Sequence, residues 1–280
     1  MLKQRVLTAI VLLAVLVMAM SASSPWPFTF LMAILCGCAG WEWGRMTWPD
    51  HGAIRIALGS ILFAFTLAIS DDLFLLGDAE PVWLHTLVIL AALVWLTAVP
   101  IAVLRGQADA PPRHLGWTLF APVSLLAACV LMVSIYDQRG TLYLLSLLTL
   151  IWIADIFAYF GGKTFGKHKL AVRISPGKTI EGALTGLVGV LAWIAISSQW
   201  KDTFAADLLY RWGWSMTLLA AALLACLSVM GDLFESLLKR RAGIKDSSAL
   251  LPGHGGVLDR IDAVIAVLPV AYLMTAWPKT

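Results

Sequence analysis

TLYLLSLLTLIWIADIFAYFG, residues 141–161, is long and apolar enough to cross a bilayer, and its one charged residue is Asp155. A helix spanning the hydrocarbon core takes about 20 apolar residues. The same template recurs at 5–22, 27–45, 53–70, 82–104, 116–136, 183–200, 213–235 and 261–277. Composition agrees: 60% of residues are hydrophobic and only 13% charged, against roughly 25% charged in a soluble domain, and the mean hydropathy is +0.85. The expected fold class is all-α, a polytopic integral membrane protein with about nine transmembrane helices. The connections are short, which leaves no room among the 280 residues for a separate soluble domain.

Lys and Arg stay preferentially on the cytoplasmic side of a membrane. Nine spans with a cytoplasmic N-terminus leave only Arg139, Lys201, Arg211 and Lys279 outside, and the other 16 of the 20 basic residues fall in inside segments. The acidic residues Asp71, Asp72, Asp78 and Glu80 then face outward. Residues 1–23 begin like a signal peptide, with a basic start, an apolar run and small residues near Ala22. The alternation needs that segment as span one, so it is expected to be retained. The four cysteines fall inside spans without metal or redox spacing. Tryptophans such as Trp41, Trp43, Trp48 and Trp277 are expected in interfacial belts.

Residues 1–140 read as scaffold helices, and residues 141–280 as a catalytic region with two cytoplasmic polar loops, 163–182 and 236–262. Topology signals alone would account for the basic residues of those loops. They do not account for Asp155, Glu181, Asp232, Glu235, Asp246, Asp259 and Asp262 among them, several at ends of apolar helices where ionised groups are costly. Asp232, Glu235, Ser236 and Lys239 are spaced i, i+3, i+4 and i+7 and share one helical face. Glu235 and Lys239 can form a local ion pair. Asp232, with no basic residue one turn before it, calls for a partner charge or a metal.

Lys239, Arg240, Arg241 and Lys245 follow as a dense cationic surface, and the glycines of Pro252–Gly256 permit a tight backbone path whose N–H groups can face an anion. Asp259 and Asp262 come at the start of the last helix. One acid there would suffice as a cap, and a second beside Asp232 suits a hard divalent ion such as magnesium. Carboxylates, cations and glycines at one membrane face are the parts of phosphoryl or nucleotidyl transfer. No GxxxxGK[ST] loop is present.

The run from Ser236 to Asp262, with Lys239, Arg240, Lys245, Asp246, Ser248, Leu251, Pro252, His254, Gly255, Gly256, Asp259 and Arg260 at their spacings, resembles the signature of phosphatidate cytidylyltransferases (CDP-diacylglycerol synthases). Gly231–Asp232, "SPGKTIEG" at 175–182 and "FGKHKLA" at 165–171 are similar to that family as well. The similarity is strong over about residues 150–265. Before them only "MLKQRVLTA" and "WEWG" at 41–44 match, and Ile156 and Phe157 stand where the family often has small residues.

The resemblance implies transfer of CMP from CTP to phosphatidic acid, giving CDP-diacylglycerol and pyrophosphate, with magnesium required, alone or with a second cation. It implies Asp232, Asp259 and Asp262 as metal ligands, and Lys239, Arg240, Lys245 and Asp246 as catalytic residues with them. Ser175, Lys178, Thr179, Ser236, His254, Gly255, Gly256 and Arg260 would bind substrate. The remaining expectations are an inner-membrane location with the site facing the cytoplasm, membrane lipid as surroundings, a homodimer and no nucleic-acid partner. A CTP-dependent lipid or polyprenol kinase, which attacks the γ rather than the α phosphorus, is the alternative. A transporter would gather its polar residues near the midplane, and here they gather at one face.

Overall fold

The computed structural model describes residues 2–76 and 81–276. Asp78, Glu80, Trp277 and Lys279, placed above outside the membrane or in a belt, lie outside those residues. The elements in chain order are α1 (Leu2–Met20), α2 (Trp26–Thr47), α3 (Gly52–Leu76), α4 (Val82–Leu96), α5 (Ala98–Arg105), α6 (Leu115–Arg139), α7 (Thr141–Phe165), β1 (Lys169–Ala171), β2 (Ser175–Thr179), α8 (Ile180–Ser197), α9 (Phe204–Arg241) and α10 (Leu258–Leu273). Six apolar segments among the described residues are long enough to cross a membrane: α3, α4 with α5, α6, α7, α8 and α9. Helices α1, α2 and α10 occupy the other three expected stretches. The outer helices carry the exposed apolar side chains that a lipid environment requires, such as Ile61, Leu104 and Val188.

Three local departures from the simple span pattern have plain causes. The span at 82–104 breaks between α4 and α5 at Thr97, whose φ and ψ are −122° and −70°. Pro100 has no N–H to give Leu96, and its ring crowds that carbonyl. Helix α9 starts nine residues earlier than the apolar run at 213, capped by the Thr203 side chain, which accepts from Ala206 N at 3.2 Å, and it bends at Gly213, where φ is 66°. The third departure is that the first polar loop is not irregular. β1 and β2 form an antiparallel hairpin pairing Lys169 with Thr179 and Ala171 with Ser175, so the fold is nearly, rather than wholly, all-α.

Aromatic side chains lock α9 to the scaffold. Phe234 of α9 meets Trp43 of α2, Trp95 of α4 and Trp117 of α6 at ring-centroid distances of 5.9, 5.6 and 4.8 Å. Trp43, expected in an interfacial belt, is instead fully buried, with its indole N–H on the Trp117 carbonyl at 3.0 Å. A buried indole needs such a partner, and this one lies within the bundle.

Glycines set the closest helix approaches. A Cβ on Gly182 or Gly186 would come within 2.8 Å of the Ala158 or Ala154 carbonyl oxygen, and one on Gly161 would collide with Thr185. Helices α7 and α8 therefore meet backbone to backbone, as small residues allow in membranes. Gly231 does the same for α9 and α10, since a Cβ there would collide with the Asp262 carbonyl.

The inside segments predicted from charge gather at one end of the bundle. Thr8 Oγ1 donates to the Pro252 carbonyl at 2.9 Å, Arg45 to Ser247 O at 3.0 Å, and Arg241 to Gln107 O at 3.0 Å, while Arg173 pairs with Asp109 at 2.8 Å. Arg139 and Arg211, predicted outside, both pair with Asp207, at 3.7 and 2.9 Å.

Candidate active site

Both polar loops open onto one cavity of about 640 Å³, walled by α7, β2, the start of α8, α9 and the start of α10. The packing glycines bring these walls together. The α7–α8 seam sets Asp155 and Lys163 beside the hairpin, and Gly231 lets Asp232 approach Asp262. Thr179 ends β2 and caps α8, its hydroxyl accepting from Gly182 N at 3.1 Å. The carboxylate of Glu181 receives the backbone N–H groups of Lys167 (3.0 Å) and His168 (3.1 Å) and stands 2.6 Å from His168 Nδ1. Lys178 is thereby directed into the cavity, where its Nζ lies 2.6 Å from Asp232 Oδ2.

The shared face predicted on α9 is present. Ser236 Oγ donates to Asp232 Oδ1 at 3.2 Å, and Lys239 Nζ lies 2.5 Å from Glu235 Oε2. The same ammonium lies 2.6 Å from Asp259 Oδ1, which joins α9 to α10. Asp259 Oδ2 accepts from Gly256 N at 2.7 Å, Ser247 Oγ at 2.9 Å and Ser247 N at 3.1 Å. Both oxygens of Asp259 therefore have protein donors. Asp262 is buried, and its Oδ1 accepts from Ala263 N at 2.9 Å.

Of the residues expected from sequence, Asp232, Lys239, Asp246, Asp259, Asp262, Ser175, Lys178, Thr179 and Arg260 border this cavity. The remaining ones lie around it. Arg240 is exposed and donates to the Ile174 carbonyl at 3.2 Å, fastening α9 to the hairpin. Lys245 is exposed beyond the end of α9. The glycine-rich bend takes left-handed φ of 77° at Gly253 and 82° at Gly255. There the His254 backbone N–H reaches Leu251 O at 2.8 Å, and its carbonyl accepts from Arg260 at 2.9 Å. Ile156 and Phe157 are outward and exposed, so their bulk does not narrow the cavity.

Sequence reasoning passed over Glu42 as a site residue, although it recognised the surrounding "WEWG". Glu42 is fully buried on α2 and accepts from Ser248 Oγ (2.5 Å), Leu258 N (2.6 Å), Val257 N (2.9 Å) and Ser247 Oγ (3.1 Å). The available signal was an acid inside an apolar helix, a functional candidate by default.

The cavity's carboxylate oxygens are of the type that a hard divalent ion takes. Six acids (Asp155, Asp232, Glu235, Asp246, Asp259, Asp262) border it against four bases (Lys163, Lys178, Lys239, Arg260), an acid excess that one divalent cation would offset. Glu235 Oε1 is buried with no hydrogen-bond partner. Among the described residues no three potential ligands are already gathered at metal spacing. Asp232 is held by Lys178 and Asp259 by Lys239.

A second, largely apolar cavity of about 460 Å³ adjoins the first, sharing Leu170, Ala183 and Val229 as common walls. Arg105 and Arg173 border it, and so does Cys226, which is exposed rather than packed away.

The chain matches the cytidylyltransferase family over residues 3–277 and belongs to it. It is a multi-pass membrane nucleotidyltransferase. Relatives named phosphatidate cytidylyltransferase are 38% identical in Pseudomonas aeruginosa (96% of this chain, 95% of the relative) and 37% identical in Haemophilus influenzae (96% of each). One from Bacillus subtilis is 32% identical over 98% of this chain and 97% of its own.

Proposed function

We propose that this chain transfers CMP from CTP to phosphatidic acid, giving CDP-diacylglycerol and pyrophosphate, at the cytoplasmic face of the inner membrane. The observation that carries this reading is the meeting of both polar loops in one acid-and-base-lined cavity beside an apolar one. That pairing matches a reaction between a soluble triphosphate and a lipid, and near-full-length relatives carry the corresponding name.

In the proposed reaction a phosphate oxygen of phosphatidate bonds to the α phosphorus of CTP, and the bond from that phosphorus to the pyrophosphate oxygen breaks. A phosphate monoester has its second pKa at about 6, so the attacking oxygen is already anionic and needs no general base. The protein's task is to bring two anions together and hold them in line. Lys178 and Arg260, at the cavity wall, would bind phosphate oxygens. Lys239 keeps Asp259 and Glu235 in place, while the exposed Arg240 and Lys245 would add positive charge outside the cavity wall to attract the triphosphate. Ser175 and Thr179 supply hydroxyls on the hairpin side. The glycines at 255 and 256 let the loop's backbone run close against Asp259. The lipid's acyl chains would lie in the apolar cavity, with Arg105 and Arg173 near its headgroup end.

Magnesium would be held by Asp232 and Asp262, with Asp155 close by, and would neutralise the triphosphate and the departing pyrophosphate when bound. Asp259 could join them only by exchanging one of its present donors. A homodimer follows from the family resemblance and belongs to the same proposal.

The test is purified protein in detergent with labelled CTP, phosphatidate and magnesium. CDP-diacylglycerol with release of pyrophosphate is expected. Release of CDP would make the enzyme a lipid kinase, and no product from a folded sample would overturn the reading.

A further inference from the structure

We infer that Glu42, on the second helix of the scaffold half, is a positioning residue for the reaction: it sets the 246–258 loop and, through Ser247, the Asp259–Lys239 pair at the cavity. The inference rests on the reading of the cavity as the transferase centre.

Each carboxylate oxygen of Glu42 takes one backbone N–H and one hydroxyl. Oε1 accepts from Val257 N at 2.9 Å and Ser248 Oγ at 2.5 Å, and Oε2 from Leu258 N at 2.6 Å and Ser247 Oγ at 3.1 Å. Val257 and Leu258 begin α10, where backbone N–H groups lack intrahelical acceptors. An anion at that end is favoured by the helix dipole as well. Here the cap comes from a different helix more than two hundred residues away.

Ser247 extends the hold into the cavity. Its hydroxyl stands between Glu42 Oε2 and Asp259 Oδ2, at 3.1 and 2.9 Å. A hydroxyl has one proton to give, and Asp259 Oδ2 also has the N–H groups of Ser247 and Gly256. Glu42, Ser247, Asp259 and Lys239 thus form one continuous polar chain from α2 to α9. Gly256 is packed against it, since a Cβ there would collide with Ser247 Oγ and Glu42 Oε1. Arg45, one turn along α2, adds its bond to the Ser247 carbonyl at 3.0 Å. Glu42 is not among the residues that line the cavity, so its influence on the reaction passes through the loop.

Glu42→Gln keeps the shape and replaces one acceptor oxygen by an NH₂ group. A serine hydroxyl facing that group can turn and accept, but a backbone N–H cannot. Either amide orientation therefore leaves Val257 N or Leu258 N without its acceptor. On the folded, monodisperse fraction, kcat is expected to fall about 10- to 100-fold, the loss usual when a residue that orients the groups of a site is changed. KM for CTP and for phosphatidate should stay within about threefold, because substrate contacts are intact. Hydrogen exchange at Val257 and Leu258 should quicken while the α7–α8 seam is unchanged.

Wild-type kcat in the folded fraction, with or without a lower yield of folded protein, would make Glu42 merely structural and overturn the inference. Should Glu42→Gln fail to fold, Ser248→Ala carries the test with the same readouts and a loss of about 3- to 10-fold. Exchange at residues 257–258 reads the Glu42 hold even if the wild-type chain proves to catalyse a different transfer, so the two readings fail separately.

Discussion

Lys178 Nζ lies 2.6 Å from Asp232 Oδ2, so the hairpin of the first polar loop and the helix leading to the second meet in one ion pair. Each side chain is about a quarter to a third exposed, at 25% and 34%, and both remain reachable from the cavity.

Asp232→Asn is expected to lower kcat by at least about 10²- to 10³-fold, because it removes a proposed ligand of the cation that would neutralise the transferred phosphates. Folding should be preserved, because the site is partly open and Ser236 keeps an acceptor at residue 232. Steady-state turnover together with thermal unfolding in detergent checks both halves.

Asp259→Asn should remove turnover and stability together. Its carboxylate takes the Lys239 ammonium and the N–H groups of Ser247 and Gly256, and an amide nitrogen would face either an ammonium or backbone N–H groups. The expected destabilisation is about 1–3 kcal/mol, less than for a fully broken buried pair because Lys239 retains Glu235. A variant that is inactive yet as stable as wild type would show that the hydrogen-bonding role is overstated.

Gly231→Ala should slow the reaction without touching a charged group. The added methyl must push α10 from α9, and overpacking of this kind costs about 1–3 kcal/mol. The readout is kcat with the melting temperature. Ser134→Ala on α6, buried away from the cavity, is the control and should leave kcat unchanged within about twofold.

Chelation of divalent ions should abolish the reaction, and added magnesium should restore it. Asp262→Asn should raise the magnesium concentration for half-maximal rate by tenfold or more, since a hard ion bound by few carboxylates depends on each. An unchanged magnesium requirement would remove Asp262 from the ion's shell.

The helices were legible because an apolar run of about 20 residues has few alternatives, and the breaks at Thr97 and Gly213 escaped because hydropathy averages over them. The i, i+3, i+4, i+7 spacing in α9 placed Asp232, Ser236 and Lys239 together because a helix makes local spacing into geometry. The hairpin at 169–179 was not legible, since its strands are too short for an alternating pattern to show. Trp43 was assigned to the membrane interface because composition cannot tell a belt indole from one whose N–H finds a partner inside the bundle. Glu42 shows in the sequence as an acid on an apolar helix, but its partners do not. Its four donors lie 205 to 216 positions away, and no periodicity links residues at that separation.

That separation bears on how the protein is made. Chains emerge from the N-terminus onward, so Glu42 enters the bilayer's edge about two hundred residues before Ser247 is synthesised. Until then an acidic group on an apolar helix has no loop to serve it, and α9 has no α10 beside Gly231. The cavity wall is consequently completed only when the last helix arrives, and an interrupted translation product is expected to insert in the membrane yet be inert.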